Sequence, residues 1–196
     1  MGSEMCIRDS DKTGKIAIEP KYDMAYSFTD GLALVSEGGR EGFIDTDGNY
    51  VIKLTDKVDY ASFSDGYALI RKGNKWGFID KKGNIVIKPA FYGAADFKEG
   101  FASIMEKVGD KYLSGYINKK GKMITKAIYE EVDDFQEGMA CVKKNGKYGF
   151  INKKGKLVVN TIYNNAFSYE NGLAYVVKGS NAYFIDKTGK KVITIK

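Results

Sequence analysis

Short hydrophobic segments alternate with polar turns along the whole chain, and the same order of segments recurs roughly every 34 residues. Five complete copies each open on a glycine. These glycines are Gly31, Gly66, Gly100, Gly138 and Gly172. A fixed period of this size predicts a tandem array in which neighbouring units complete one another's core, because one unit alone is too small to bury its apolar side chains.

Four strand positions follow each opening glycine. The second is always alanine (Ala33, Ala68, Ala102, Ala140, Ala174) and the fourth is always β-branched (Val35, Ile70, Ile104, Val142, Val176). Side chains two positions apart on a strand share one face. We therefore predict that this face is buried where another backbone comes close. The third position varies, and we predict that it lies on a face where packing restricts the side chain less, with Cys141 as a small side chain that fills space.

Turn signals divide each unit into strands. Asn145-Gly146 is typical of a two-residue type I′ hairpin turn. The second strand reads Gly-aromatic-Ile and ends at Asp or Asn, with glycine three residues later, as in Asp45–Gly48. That spacing predicts a type I turn closed by a left-handed glycine. Asp45–Gly48 also resembles the start of a calcium loop, but the later ligands are missing, so the hairpin is the favoured interpretation.

After the third strand the hydrophobic spacing changes to three, as in Tyr22, Ala25 and Phe28, which predicts a single helical or 3₁₀ turn. The second unit departs from this pattern at Leu54–Tyr60. The predicted fold is all-β, a tandem array of three-stranded antiparallel meanders. The units form an open β-solenoid-like stack or, alternatively, a propeller-like ring. We favour the open stack, because three strands are fewer than a propeller blade usually has.

Residues 1–10 do not fit the repeat, and the break falls in the middle of a hairpin. We interpret residues 1–10 as a non-native leader. Residues 11–196 form the repeat domain, with a partial first unit before the five complete ones. We expect the natural chain to extend further toward its N terminus. For that reason the sequence does not assign a compartment, and a cell-surface or exported location and a cytoplasmic one both stay open.

Charge and composition narrow the chemistry. The net charge is +6, but only 3 of the 31 basic residues are arginines, and the lysines are interleaved with 25 acidic residues. This favours a solvated surface over an anion-binding face, so nucleic acid is not an expected partner. Histidine is absent, and no apolar run is long enough to span a bilayer. Without a nucleophile–base constellation, we predict a protein that is not an enzyme and that has no catalytic residue, cofactor or metal.

Aromatic residues are the remaining candidates, with 14 Tyr and 11 Phe. The periodic ones alternate with Ile and Ala and are predicted to be core residues. The non-periodic ones are the candidate ligand contacts: Trp76, Tyr112, Tyr92, Tyr26 and Tyr60. Tyr112 lies in Glu106–Leu113, where the third unit is lengthened at its hairpin tip, and a module array carries distinctive features at such a position.

The segment Lys75-Trp76-Gly77-Phe78-Ile79-Asp80, followed by Ile85-Val86-Ile87-Lys88-Pro89, resembles the signature of the WG-repeat family, also called KWG repeats. The resemblance implies β-rich bacterial modules and no catalytic residue. Only one unit keeps Trp-Gly itself. The leading hypothesis is a binding or scaffold module for a protein partner. The alternatives are recognition of a cell-envelope glycan through exposed aromatic rings, and electrostatic binding to an anionic polymer or lipid.

Overall fold

The computed structural model describes residues 9–10, 16–18, 21–53 and 62–194, with residues 9, 10, 16 and 17 described by their backbone alone. Leu54–Tyr60, and with it the candidate Tyr60, lies outside the described residues. The described residues contain 22 β-strands and no helix. The strands are β1 (Asp9–Ser10), β2 (Ile16–Ile18), β3 (Met24–Ala25), β4 (Ala33–Glu37), β5 (Arg40–Ile44), β6 (Tyr50–Lys53), β7 (Phe63–Ser64), β8 (Tyr67–Lys72), β9 (Lys75–Asp80), β10 (Ile85–Phe91), β11 (Gly93–Ala94), β12 (Phe101–Val108), β13 (Lys111–Asn118), β14 (Met123–Tyr129), β15 (Glu131–Val132), β16 (Met139–Lys144), β17 (Lys147–Asn152), β18 (Leu157–Tyr163), β19 (Asn165–Ala166), β20 (Ala174–Lys178), β21 (Asn181–Ile185) and β22 (Lys191–Thr194).

The strands form five four-stranded antiparallel sheets, each with its strands in chain order. We call them sheet 1 (β3–β6), sheet 2 (β7–β10), sheet 3 (β11–β14), sheet 4 (β15–β18) and sheet 5 (β19–β22). A two-stranded pair, β1 with β2, precedes sheet 1. The chain divides into two compact halves, residues 1–90 and residues 91–196.

The all-β tandem array is confirmed, but the three-stranded meander is wrong. The segment with a spacing of three supplies a short first strand instead of a helical turn, as where Met24 and Ala25 pair with Ser36 and Val35. The backbone then leaves the ladder over the next few residues. Tyr22, Ala25 and Phe28 face one core because the chain bends there, so the spacing of three arises without a helix.

The turns follow the sequence prediction closely. Asn145 and Gly146 both have positive φ (52° and 72°), as a type I′ turn requires. At the Asp45 turn the side-chain Oδ1 accepts hydrogen bonds from the backbone N–H groups of Asp47 and Asn49, and Gly48 has a φ of 80°. The hairpin interpretation of this turn is confirmed. These backbone hydrogen bonds lower the pKa of the Asp45 carboxyl.

The glycine of the second strand has a packing role. A Cβ built on Gly149 would lie 2.5 Å from the carbonyl oxygen of Val159 on the neighbouring strand β18. That strand is bulged, because Tyr148 pairs with Tyr163 whereas Phe150, two residues on, pairs with Val159, four residues back. The bulge pushes its backbone onto the glycine, which leaves no space for a side chain.

Within residues 1–90 and within residues 91–196, the cores between consecutive sheets are built from the same columns. We call the face that a sheet turns toward the next sheet in the chain its trailing face, and the opposite face its leading face. The alanine and β-branched columns form the leading face and are buried, as Ala140 and Val142 are in the core between sheets 3 and 4. The predicted buried face is therefore confirmed.

The third position was predicted to be less demanding, and for Cys141 and Leu34 this is wrong. Cys141 is 2% exposed in the core between sheets 4 and 5, and Leu34 is 6% exposed in the core between sheets 1 and 2. Both faces of a strand are buried here because a sheet with a neighbour on each side has no solvent face. Burial raises the pKa of the Cys141 thiol to about 12. This shift is opposite to the one that a nucleophilic thiolate needs.

Within sheets 3 to 5, an aromatic residue before the opening glycine joins a sheet to the preceding one. Phe135, in the segment between β15 and β16, meets Tyr116 of sheet 3 edge to face, with ring centroids 5.1 Å apart. The hydroxyl of Tyr116 donates a hydrogen bond to the carbonyl oxygen of Asp133 at 2.5 Å. Tyr169 repeats the first contact on Phe150 of sheet 4 at 4.8 Å. These aromatic contacts form the core shared between neighbouring sheets that the repeat period predicts.

A carboxylate joins the same pairs of sheets at the surface, and we call this contact the carboxylate latch. The carboxylate belongs to the residue before the opening glycine. It accepts a hydrogen bond from the backbone N–H of the next sheet's opening glycine and lies near a lysine in that sheet's last turn. The three described latches are Asp30 with Gly66 and Lys81, Glu99 with Gly138 and Lys153, and Glu137 with Gly172 and Lys187.

The latch residues sit in strained backbone. Glu99 and Glu137 have φ values of 50° and 52°, a region that glutamate rarely adopts. Asp30, which makes the same contact with its shorter side chain, has a φ of 52°, so the conformation belongs to the latch position and not to one residue type. The sequence showed a recurrent acidic residue before glycine, but not that it crosses to the next sheet.

Removing the Glu99 latch is expected to weaken the protein and to reduce its acid sensitivity. Partial burial works to raise the pKa of Glu99, but the hydrogen bond from Gly138 and the Lys153 ammonium at 3.2 Å hold it below its ordinary value of 4.5. A carboxyl whose pKa is lowered by folding stabilises the protein above pH 4.5, and this stability is lost as the pH falls through the folded-state pKa. Glu99→Ala should lower the free energy of unfolding by about 1 kcal/mol at pH 7. This is less than a buried hydrogen bond to a charged group contributes, because solvent screens the exposed carboxylate.

The measurement is urea unfolding of the native chain and two variants at pH 7 and pH 3. Glu99→Gln keeps an acceptor for Gly138 and should lose less stability than Glu99→Ala. The stability difference between the native chain and Glu99→Ala should shrink at pH 3. Asp133 and Asp134 act in the opposite sense, because desolvation raises the pKa of each. The informative quantity is therefore the difference between variants. An equal loss at both pH values would contradict the charged latch.

Candidate binding surface

The hairpin of sheet 3 is longer than the other hairpins between second and third strands in the described residues. Strands β12 and β13 have 8 residues each, whereas β16 and β17 of sheet 4 have 6 each. The added residues continue the ladder, because Glu106 pairs with Leu113, Lys107 with Tyr112 and Val108 with Lys111. The insertion predicted at the hairpin tip is thus a rigid extension of two strands, and the tip is carried outward.

Tyr92 and Tyr112, two of the predicted site residues, come together on this hairpin. Their rings meet edge to face, with centroids 5.3 Å apart and planes at 70°. Tyr112 is 52% exposed and Tyr92 is 42% exposed, so the pair presents ring surface to solvent. Because Tyr92 comes from the segment before sheet 3 and Tyr112 from the insertion, no spacing in the sequence indicated that they meet.

The position of Tyr92 has a different task in other units. There its equivalent caps the hairpin tip, as where Glu130 accepts a hydrogen bond from the backbone N–H of Gly146 at 3.0 Å and Asn164 one from Gly179 at 2.9 Å. In sheet 3 the lengthened tip lies beyond the reach of such a cap. A tyrosine occupies this position instead, and its ring packs on the insertion. The two departures from the repeat are therefore structurally coupled.

Apolar and charged side chains lie beside the pair. Met105, on the same face of the hairpin as Tyr112, is 37% exposed. Beside it, a shallow groove of about 390 Å³ runs between the trailing face of sheet 3 and the first strand of sheet 4, with Glu130 and Glu131 on its far side. Glu131 accepts hydrogen bonds at 2.6 Å from the Lys143 ammonium and from a tyrosine hydroxyl, which together lower the pKa of its carboxyl. We call Tyr92, Tyr112, Met105 and this groove the tyrosine surface.

The other two predicted site residues lie within residues 1–90, on different sheets. Trp76, on β9, is partly buried, and the guanidinium of Arg71 lies 5.6 Å from its ring centroid. Tyr26, in the segment after β3, is 49% exposed. A cation over the tryptophan ring already uses the face that a ligand would stack on. The sequence thus identified exposed aromatic residues, whereas their partners came only from the structure.

Sheet 1 carries a polar concavity of about 430 Å³. It is lined by Glu37, Gly38, Arg40, Glu41, Tyr50 and Lys53. The Tyr50 hydroxyl donates to a carboxylate oxygen of Glu37 at 3.2 Å. Burial, followed by this hydrogen bond, raises the pKa of Tyr50 to about 12, so the hydroxyl keeps its proton at neutral pH. The hydrogen bond joins the first residue of strand β6 to the end of strand β4.

Within the described residues, no group of three or more Cys, Asp or Glu side chains is placed to hold a metal ion. In the same residues, no helix is long and apolar enough to cross a membrane.

These observations define a protein of tandem antiparallel β-sheet repeats. The model of the WG-containing repeat matches five consecutive segments of the chain. They are residues 10–40, 42–76, 76–112, 115–148 and 148–181. The chain belongs to the family of WG-containing repeats, as the Trp76-Gly77 signature predicted.

Several solved structures are similar to this chain at low sequence identity. Hsv2p from Kluyveromyces lactis, a β-propeller, is 13% identical with a TM-score of 0.53, and the match covers 86% of this chain and 63% of that one. A second structure of Kluyveromyces lactis Hsv2 is 10% identical, with a TM-score of 0.48 and the same coverages. A protein of unknown function from Bacteroides caccae is 15% identical, with a TM-score of 0.35 and coverages of 87% and 80%. The chain thus spans less than two thirds of Hsv2p. Comparison with curated proteins gave no significant match.

Proposed function

We propose that this protein acts by binding and not by catalysis, and that the tyrosine surface is its contact site for a protein partner. The observation that carries the proposal is the exposed Tyr92–Tyr112 pair on the lengthened hairpin of sheet 3. Tyrosine and methionine are enriched in protein interfaces, and an exposed apolar cluster on a rigid element has a low entropic cost of binding. The raised pKa of the Cys141 thiol supports the non-enzymatic part of the proposal.

The geometry favours a protein over a glycan. Sugars stack on the open face of an aromatic ring, whereas the Tyr92 and Tyr112 planes meet at 70° and part of one ring face is occupied by the other ring. Charged residues of both signs surround the pair, since Lys107 is opposite Tyr112 and Glu130 lies across the groove. Mixed charges around an aromatic centre match the anatomy of a protein interface.

We also propose that the sheets are propeller-type blades and not layers of an open solenoid. The open stack was favoured for its three strands per unit, and each sheet has the four strands that a blade has. The likeness to Hsv2p supports the same arrangement. Small-angle scattering of the full chain tests this proposal. A curve that fits a rod of stacked sheets but does not fit an arc of blades would contradict it.

Photo-crosslinking tests the tyrosine surface. A photoreactive phenylalanine derivative is placed at Tyr112 and, as a matched control, at the similarly exposed Tyr26, and each protein is irradiated in bacterial lysate. We expect a discrete cross-linked protein only from position 112. Tyr92→Ala should weaken this contact about tenfold or more, because tyrosines at interface centres are frequent hot spots. Equal products from both positions, or none from either, would count against the proposal.

Two further outcomes would point to the alternative ligands. Retention on insoluble cell-wall polysaccharide that survives high salt, and that is lost in Tyr112→Ala, would favour a glycan. Retention on an anionic polymer that falls steeply with added salt would favour electrostatic attachment, because such binding releases counterions. If either result is obtained and no protein is cross-linked, the proposed protein partner is wrong.

A further inference from the structure

The groove between sheets 3 and 4 opens where the first strand of sheet 3 has unusually small side chains, at Gly93 and Ala95. The residues at the column of Gly93 in sheets 1, 4 and 5 are Met24, Glu131 and Asn165. Those at the column of Ala95 are Tyr26, Asp133 and Phe167. Space that a larger side chain covers in those sheets is therefore open in sheet 3, and the groove of about 390 Å³ lies there. This volume is at the low end of the range for binding pockets.

A buried hydroxyl faces the groove. Ser114 lines it and is only 8% exposed, and its side chain has no hydrogen-bond partner among the described residues. No unpaired side-chain polar atom of the described residues is sealed from solvent, so the Ser114 Oγ opens into the groove. Ser103, on the same face of the sheet, adds a second hydroxyl. A buried hydroxyl without a partner costs free energy that a ligand's hydrogen-bonding group recovers.

The far side of the groove is acidic. Its described lining includes two carboxylates, Glu130 and Glu131, and no lysine or arginine, although the net charge of the chain is +6. The Lys143 ammonium lies 2.6 Å from Glu131 and neutralises it. One carboxylate oxygen of Glu130 accepts a hydrogen bond from Gly146, and the other has no partner among the described residues. The groove therefore presents one carboxylate that is not neutralised.

We propose that this groove receives an arginine side chain from an extended segment of the protein partner. The inference rests on the proposed function, because the groove is part of the tyrosine surface. A guanidinium has five N–H donors in a planar fork, enough for the Glu130 carboxylate and the Ser114 hydroxyl together. Its methylene stem packs on Met105 at the side of the groove. Arginine is enriched at protein interfaces and, with tyrosine, among their hot spots.

Titration of the full chain with short peptides, followed by two-dimensional NMR, tests the proposal. The probes are acetyl-Gly-Ala-Arg-Ala-Gly-amide and the same peptide with lysine, norleucine or glutamate in place of arginine. We expect the arginine peptide, at up to about 10 mM, to shift the backbone amide resonances of Met105, Ser114 and Glu131. The lysine peptide should bind about threefold more weakly, because an ammonium does not match the fork geometry. Equal binding of the arginine and norleucine peptides, or no shift at the groove, would overturn the proposal.

Glu130→Gln tests the charge of the groove. The amide oxygen can still accept the hydrogen bond from Gly146, so the hairpin tip stays capped. The Kd of the arginine peptide should rise about tenfold, because charge-assisted hydrogen bonds are the stronger ones. Glu170→Gln, at an exposed position outside the groove, is the matched control and should leave the Kd unchanged. Equal losses in both variants would indicate general charge attraction and overturn the proposal.

Ala95→Phe tests the open space. Sheet 5 has phenylalanine in this column, at Phe167, which shows that the backbone accommodates it. The ring should fill the groove and raise the Kd of the arginine peptide about tenfold or more. Folding is checked by the thermal transition. If this variant does not fold, Ser114→Ala is measured instead, with an expected rise of about threefold for the lost hydroxyl. A folded variant of either kind that binds like the native chain would overturn the proposal.

The groove and the proposed function fail separately. A cross-linked protein from position 112, together with no binding of the arginine peptide, would overturn the arginine site and leave the Tyr92–Tyr112 pair as the contact. Binding of the arginine peptide that Glu130→Gln weakens, without any cross-linked protein, would support the arginine site and count against the proposed protein contact.

Discussion

Gly149→Ala should be strongly destabilising, at about 3 kcal/mol or more. The new Cβ would lie 2.5 Å from the Val159 carbonyl oxygen and 2.7 Å from the carbonyl carbon of Asn160. Both atoms belong to the backbone of β18, so the methyl group can be accommodated only by moving the bulge. Overpacking against a side chain costs about 1–3 kcal/mol, and a rigid backbone relaxes less than a side chain does. Urea unfolding of the native and variant chains measures the difference.

Gly93→Ala is the matched control. Gly93 also lies in a strand without a positive φ, and the atom nearest to its Cβ would be the Cβ of Met105, at 3.2 Å. We expect a cost of about 1 kcal/mol, because this contact is relieved by a shift of a few tenths of an ångström, whereas the 2.5 Å contact of Gly149 is not. Similar losses in both variants would mean that strand glycine in general, and not the bulge, is responsible.

The fifth unit shows the same rule from the opposite side. Tyr183 occupies the column of Gly149 there, and its strand pairs without the wide bulge, since Tyr183 pairs with Thr194 and Phe184 with Ile193. A side chain is present where the neighbouring backbone stays at normal ladder distance. In sheets 3 and 4, therefore, the glycine of this column accompanies a bulged fourth strand.

Phe135→Ala should cost about 3–5 kcal/mol, the usual range for a buried phenylalanine. The ring is 3% exposed and packs on Phe101 at 4.8 Å and Tyr116 at 5.1 Å, which are both in the preceding sheet. Its removal leaves a cavity at the contact between sheets 3 and 4. We expect a lower transition temperature by differential scanning calorimetry, together with loss of the coupling between those two sheets.

Two variants separate the cavity from the loss of an aromatic ring. Phe135→Leu keeps most of the apolar volume and should cost about 1.5 kcal/mol or less. Tyr112→Ala removes an exposed ring from the same unit and should cost about 0.5 kcal/mol or less. A Phe135→Ala variant no weaker than Tyr112→Ala would contradict the view that sheets lend each other their interior.

The local structure of each unit was largely predictable from its residues. Asn145-Gly146 and Asp45–Gly48 specify their turns because positive φ and Asx hydrogen bonds are properties of a few neighbouring residues. The alanine and β-branched columns identified the leading face because side-chain direction alternates along a strand. The spacing of Tyr22, Ala25 and Phe28 misled because a bend after two strand residues imitates a helical period.

The candidate surface was predictable only in part. Tyr112 was found because an insertion in a regular repeat is visible in the sequence. Tyr92 was named as a candidate, but its contact with Tyr112 depends on how far the lengthened ladder extends.

By itself the sequence determined the family, the all-β class, the repeat length, the turns and the buried leading face. All of these follow from local backbone preference and from periodicity. The tertiary structure alone decided that the fourth strand exists, that Glu99 and Glu137 cross to the next sheet, and that both faces of Cys141's strand are buried. Such features depend on contacts between residues roughly one repeat apart, and no short stretch of sequence encodes which face a neighbouring sheet will cover.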